Sequence, residues 1–183
     1  MKILIIFTLY LISGPGSCIT VIGYPEGSVM IYCNHKEGGG INRNLSVQDS
    51  GLYQCGENRT WNRKMNLTVK EDPCCLGPRT VSGYLGETVN MSCSYPEAFK
   101  RNIKLIYKWT EEDFIEVMDT TETQRGRFSI SDDRRSKVLR VRISDVREDD
   151  GGVYVCGAED EMGSFSYNSF FSETQLQVSG ETH

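Results

Sequence analysis

The residues best able to do chemistry are cysteines: Cys18, Cys33, Cys55, Cys74, Cys75, Cys93 and Cys156. Histidine is nearly absent, with only His35 and His183. Imidazole catalysis and His-rich metal sites therefore have almost no material. Cys74-Cys75 has neither Cys-x-x-Cys spacing nor a nearby His, so it reads as part of extra disulfide bridging rather than as a redox pair or a metal site. Glu159-Asp160-Glu161 could offer carboxylate oxygens to Ca²⁺, but three adjacent acids read first as a solvated loop tip. The Gly38-Gly39-Gly40 run lacks the Lys and the strand-to-helix setting of a P-loop, and no Gly-x-Ser-x-Gly is present. Acids are plentiful, yet no motif places a pair of them for proton transfer. The expectation is no catalytic residue, no cofactor and no metal.

Structural elements must then position the cysteines, and the compartment decides what they do. Met1-Lys2 is followed by ten residues, Ile3–Ile12, that are almost wholly apolar, and then by Ser13-Gly14-Pro15-Gly16-Ser17-Cys18. A basic start, a short apolar core and a small-residue end predict a cleaved secretory signal over 1–18. Ten residues of helix rise only ~15 Å, about half a bilayer. No later stretch reaches spanning length, so a secreted chain is expected, or an ectodomain whose anchor is not in this sequence. That route favours disulfides. It also fits four glycosylation tripeptides, at Asn44, Asn58, Asn66 and Asn90. Residues 1–75 carry 7 Lys+Arg against 6 Asp+Glu, and residues 76–183 carry 13 against 19. An acidic chain does not suit nucleic-acid backbone, so no such partner is expected.

The chain repeats itself. Gly23-Tyr24 through Val29 to Cys33 matches Gly83-Tyr84 through Val89 to Cys93 at an offset of 60. Asp49-x-Gly51-x-Tyr53-x-Cys55 matches Asp150-x-Gly152-x-Tyr154-x-Cys156 at an offset of 101. The first copy is thus shorter by the difference, 41 residues, between its two cysteines. The second copy has β-patterning: Val89, Met91 and Cys93 alternate, as do Leu139, Val141 and Ile143, and Leu176 and Val178. Turn signals at Pro96-Glu97, Asp132-Asp133 and Asp149–Gly152 separate them. Short strands at this spacing, with cysteines 63 positions apart, suggest an all-β sandwich.

The Asp150-x-Gly152-x-Tyr154-x-Cys156 signature resembles strand F of the variable-type immunoglobulin fold. Ser92–Pro96, Lys104–Lys108, Arg127–Ile130 and Ile143–Asp150 are similar to polymeric immunoglobulin receptor-like proteins and to leukocyte receptors with one variable-type domain. The resemblance implies a Cys93–Cys156 bridge between two sheets and a Tyr154 hydroxyl turned back onto the chain. It also implies an ion pair between Arg127 and Asp150. Tyr53 and Asp49 take the matching structural positions in the first copy, where a Cys33–Cys55 bridge could form. The family's second bridge is impossible, because no Cys lies between Cys93 and Cys156. Its core Trp is replaced by Ile106, with Trp109 as an alternative in another register. The domain organisation expected is a signal at 1–18, an incomplete variable domain at 19–72, a linker at 73–78 and a complete variable domain at 79–179. Only 21 residues separate Cys33 from Cys55, too few for strands C to E. The first domain is therefore expected to be less ordered than the second, or to lean on it.

The family resemblance implies a non-catalytic immune recognition protein, either a cell-surface receptor ectodomain or a secreted form. Its ligand would be a protein or lipid at the cell surface, immunoglobulin among the candidates. The alternatives are an adhesive module or a soluble decoy. Loops on a rigid sandwich are the usual recognition sites. The candidates are Tyr95, Phe99, Lys100, Arg101 and Asn102 in the B–C loop, and Glu159, Asp160, Glu161, Met162, Phe165 and Tyr167 in the F–G loop. Phe170 and Phe171 are expected to pack in strand G.

Overall fold

The structure is a computed structural model that describes residues 19–32, 40–42, 44–57, 61–75, 79–110, 113–162 and 165–180. The expected signal at 1–18, Cys33, Asn58 and the side chain of Cys55 lie outside the described residues, and with them the Cys33–Cys55 pairing. The described chain is all strand, with short 3-10 turns and no α-helix. It divides into two compact units, one of residues 1–71 with 160–169 and one of residues 72–159 with 170–183.

The N-terminal unit contains β1 (Ile19–Gly23), β2 (Ser28–Tyr32), β3 (Gly40–Asn42), β4 (Gly51–Glu57) and β5 (Trp61–Val69). Strand β5 lies between β1, which runs parallel to it, and β4, which runs antiparallel. Alternation along β5 buries Met65, Leu67 and Val69 and turns Lys64 and Asn66 outward. Val21, Val29, Ile31 and Leu45 complete this core.

The C-terminal unit has two sheets. One has the order β10 (Gln124–Arg125), β11 (Phe128–Asp133), β12 (Val138–Ile143), β7 (Val89–Ser94). The other joins the parts of β14 (Phe165–Ser179) and β13 (Gly152–Met162) that belong to this unit, then β8 (Ile103–Trp109) and β9 (Phe114–Asp119), with β6 (Arg79–Tyr84) parallel to β14. The alternating residues behave as their pattern demands. Val89, Met91, Cys93, Leu139, Val141 and Ile143 are buried, and Asn90, Ser92, Arg140 and Arg142 between them are exposed. Cys93 on β7 is bonded to Cys156 on β13, which ties one sheet to the other. Ile106 faces Cys156 in register and is 1% exposed. Residues directly opposite project to the same side, so Ile106 occupies the core beside the disulfide. Trp109 is only half-buried, with its ring stacked on Phe114 at 3.8 Å.

Both units build the same corner. Tyr154 Oη donates to the Asp150 carbonyl at 2.7 Å, and Tyr53 Oη donates to the Asp49 carbonyl at 2.6 Å. The turns before each second strand also correspond. Gly27 N–H donates to Tyr24 O at 3.1 Å in one and Glu87 N–H to Tyr84 O at 3.1 Å in the other. The third turn residue is left-handed in both, Glu26 at φ 61° and Gly86 at φ 81°. Gly accepts that conformation readily and Glu does so at a cost. Burial raises the Tyr154 phenol well above its ordinary range. Tyr154→Phe leaves the Asp150 carbonyl without its donor and is expected to cost about 1–2 kcal/mol in denaturant unfolding. Tyr53, half-buried, is expected to cost less on the same change.

The two corners differ in their acids. Arg127 grips Asp150 with two nitrogens, at 2.6 and 2.8 Å, and Arg147 N–H adds a third bond at 2.8 Å. Arg127 also donates to the Asp145 carbonyl at 2.8 Å. In the shorter copy no such Arg contact is made among the described residues. Asp49 accepts from Ser46 N–H at 2.7 Å, the counterpart of Arg147 N–H on Asp150, and from Ser46 Oγ at 3.0 Å. Burial alone would push the Asp150 carboxyl up, but the bonds from Arg127 and Arg147 N–H outweigh it and hold it below the ordinary range. The unfolded chain therefore binds more protons than the folded one as pH falls past about 4. The stabilisation is complete above that range and is lost as pH drops through the folded value. Asp150→Asn is expected to flatten this acid limb in unfolding curves taken across pH 2–6, and Arg127→Ala to cost about 2 kcal/mol at neutral pH.

Candidate recognition site

At the B–C end of the C-terminal unit, Pro96 ends the run out of β7 and opens a 3-10 turn over Glu97–Phe99. Phe99 N–H donates to Pro96 O at 3.0 Å, Lys100 N–H to Glu97 O at 3.1 Å and Asn102 N–H to Phe99 O at 3.2 Å. Phe99 points inward, 1% exposed, with its ring stacked on Phe171 at 6.1 Å. Asn102 Nδ2 then ties the loop to the Glu159 carbonyl of β13 at 2.9 Å.

Beneath the loop lies a polar cluster that sequence reading did not find. Lys104 takes a core-facing position on β8 opposite Ala158 and is 0% exposed. Its Nζ donates to the Asn102 carbonyl at 2.6 Å and to Asp132 Oδ2 at 3.3 Å, and sits 4.4 Å from the centre of the Tyr95 ring. Tyr95 Oη donates to Asp132 Oδ1 at 2.7 Å, and Arg134 Nε reaches Asp132 Oδ2 at 3.3 Å. Desolvation lowers the Lys104 ammonium from its ordinary range, against the pull of Asp132. Burial and the Asp132 bond raise the Tyr95 phenol. Lys104 thus braces the B–C loop against the β11–β12 turn. That turn is itself held by Ser136 Oγ donating to Asp133 Oδ2 at 2.6 Å.

The structure separates the residues expected to meet a ligand. Arg101 is exposed at the tip of the braced loop, and Lys100 beside it pairs with Glu97 at 3.3 Å. Phe99 is a packing residue. The expected F–G loop is mostly strand, since β13 runs to Met162 and β14 begins at Phe165. Glu159 and Asp160 are half-buried on β13, while Glu161 and Met162, the latter 37% exposed, stand near its end. Phe165 and Tyr167 are both 0% exposed in the N-terminal unit, where Tyr167 Oη donates to Asp160 at 3.1 Å and accepts from Ile22 N–H at 3.4 Å. A side chain so enclosed offers no surface to a ligand, so Phe165 and Tyr167 join Phe99 as core. Phe170 and Phe171 are buried as expected, Phe170 edge-on to Tyr107 at 5.1 Å.

Cys74 and Cys75 are bonded to each other in the 3-10 turn Pro73–Cys75. Asp72 lies close enough for a three-ligand cluster with them. Paired sulfurs are not thiolates, however, and the thiolate is the metal ligand. No helix among the described residues is long and apolar enough to cross a membrane.

Two sheets tied by one disulfide, with a Tyr corner and an Arg–Asp clamp at one end, define an immunoglobulin-type domain. Residues 76–179 match the family model of the immunoglobulin V-set domain, and the chain belongs to that family. It is similar to the polymeric immunoglobulin receptor of Rattus norvegicus, 26% identical over 146 residues that make up 76% of this chain and 19% of that protein. It is also similar to CMRF35-like molecule 6 of Mus musculus, 31% identical over 106 residues, 56% of this chain and 43% of that protein. The chain therefore spans less than half the length of each of these two relatives. Among solved structures, the second Ig domain from mouse polymeric immunoglobulin receptor aligns with a TM-score of 0.46 at 24% identity, covering 58% of this chain and 100% of that one.

Proposed function

We propose that this chain is a non-catalytic recognition protein of the immune receptor type, acting at the extracellular face of the plasma membrane or in secreted form. Its C-terminal V-set domain binds a protein or lipid at a cell surface, with immunoglobulin the first candidate because relatives carry that ligand in their name. The observation that carries the reading is a cationic tip on a braced loop. Arg101 is exposed, while Phe99, Asn102 and Lys104 beneath it are fixed by stacking and hydrogen bonds. A preorganised loop loses little entropy on binding, and Arg is a frequent anchor. Lys100 and Glu159, in the same unit as Arg101, belong to the proposed site.

The test uses the full chain against immobilised polymeric immunoglobulin and, separately, anionic lipid vesicles. Arg101→Ala is expected to weaken binding to one of these probes about tenfold, the size of a modest hot spot. Phe165→Ala is expected to lower stability rather than the affinity of the folded fraction. Equal affinity of Arg101→Ala and the parent chain would remove the B–C loop from the site.

A further inference from the structure

The outward face of the β10–β11–β12–β7 sheet carries an arrangement that loop recognition does not use. Asn90, Met91 and Ser92 form an acceptor tripeptide for N-linked glycan. On an extended strand the first and third residues share a face, ~7 Å apart. Here Asn90 and Ser92 are both exposed, and Met91 between them is buried. Strand β7 is the last in its sheet order among the described residues. The Asn90 amide and the Ser92 hydroxyl make no hydrogen bond among the described residues. At Asn44 the matching hydroxyl, Ser46 Oγ, is already engaged with Asp49.

The neighbours matter as much as the tripeptide. Asn90 stands directly opposite Arg142, and Ser92 opposite Arg140. Across β12 the same arginines face Ser129 and Ser131. Arg142 has no acceptor among the described residues, and Arg140 reaches only Asp133, at 3.7 Å. Arg79 adds a third guanidinium, donating to the Ser92 carbonyl at 3.4 Å. Residues 76–183 are acidic overall, 13 Lys+Arg against 19 Asp+Glu, so three arginines around one neutral Asn–Ser pair are a local exception. Sugar hydroxyls and the carboxylates of acidic sugars are acceptors that guanidinium forks suit.

We propose that Asn90 carries an N-linked glycan that lies over this sheet face and covers Arg140 and Arg142. In the transfer, Asn90 Nδ2 bonds to C1 of the first sugar of a lipid-linked oligosaccharide. The C1–O bond to the lipid diphosphate breaks, the diphosphate leaves with the electron pair, and one amide proton passes to base. The glycan confines recognition to other surfaces, the B–C loop among them. The proposal rests on the extracellular reading, because the lipid-linked donor is met only on the secretory route.

The full chain is expressed in secretory animal cells and recovered from the medium. Peptide mapping after enzymatic deglycosylation in heavy-oxygen water is expected to find Asn90 converted to labelled Asp in most molecules. Asn90→Gln and Ser92→Ala should each lose the mass of one glycan. Both variants should also elute from heparin at higher salt than the parent, and adding Arg140→Ala with Arg142→Ala should abolish that gain. A secreted chain with Asn90 unmodified while Asn66 or Asn44 is occupied would overturn the proposal. An occupied Asn90 whose loss leaves heparin elution unchanged would overturn the covering of the arginines. A chain retained in the cell with every tripeptide bare would instead overturn the extracellular reading.

Discussion

With Cys93 and Cys156 both changed to alanine, the full chain is expected to lose about 4 kcal/mol of unfolding free energy from the transition of its V-set domain. The loop closed by this bond spans 63 positions, and cross-linking a loop of that length removes much of the freedom of the unfolded chain. Two further effects act in the same direction. Both cysteines are buried beside Ile106, Leu139 and Met91, so the smaller side chains leave space the core must absorb. The bond also joins the two sheets covalently, where Lys104–Asp132 and core packing are their other ties. A small domain has a margin of only about 5–15 kcal/mol, so this loss takes a large part of it. Guanidinium titration followed by tryptophan fluorescence measures it, Trp109 lying on β8 in the affected unit. A change under about 1 kcal/mol would mean that the sheets do not depend on the tie.

The second large effect is expected at Lys104. Lys104→Met keeps most of the volume and removes the ammonium. Asp132 then stays nearly buried with one cation fewer, and the Asn102 carbonyl loses a donor at 2.6 Å. Breaking a buried pair from one side costs about 3 kcal/mol, less whatever Arg134 and Tyr95 recover. Lys104→Met with Asp132→Asn should restore part of that loss, since the uncompensated charge is gone. The same substitution frees the B–C loop, so amide exchange at Lys100–Asn102 should speed up in Lys104→Met and remain slow in Arg101→Ala. Unchanged exchange would separate the buried Lys from the loop.

Much of this was legible before any coordinates. Strands β7 and β12 announced themselves because every second residue had to be buried in a two-sheet core, and Val, Met, Cys, Leu and Ile fell at those positions. The Asp-x-Gly-x-Tyr-x-Cys signature worked for the same reason. Three of its four residues have a fixed partner: Arg127 for Asp150, a backbone carbonyl for Tyr154 and Cys93 for Cys156.

The misreadings have physical causes as well. Phe99 sits between Ala98 and Lys100, and a lone ring among polar residues looks like a ligand anchor until its stacking partner Phe171, far along the chain, is known. Phe165 and Tyr167 lie in a stretch rich in Gly, Ser and Asn that reads as loop, yet strand pairing extends almost to its tip. Lys104 was hidden by its type. A Lys in a strand is assigned outward by default, and only Asp132, on a different strand, makes the inward position tolerable.

Non-reducing peptide mapping of the secreted full chain tests the central claim most directly. The account predicts one linked peptide that joins Cys93 to Cys156, absent after reduction. Free thiols at both positions, or either cysteine joined to Cys74 or Cys75 instead, would contradict it.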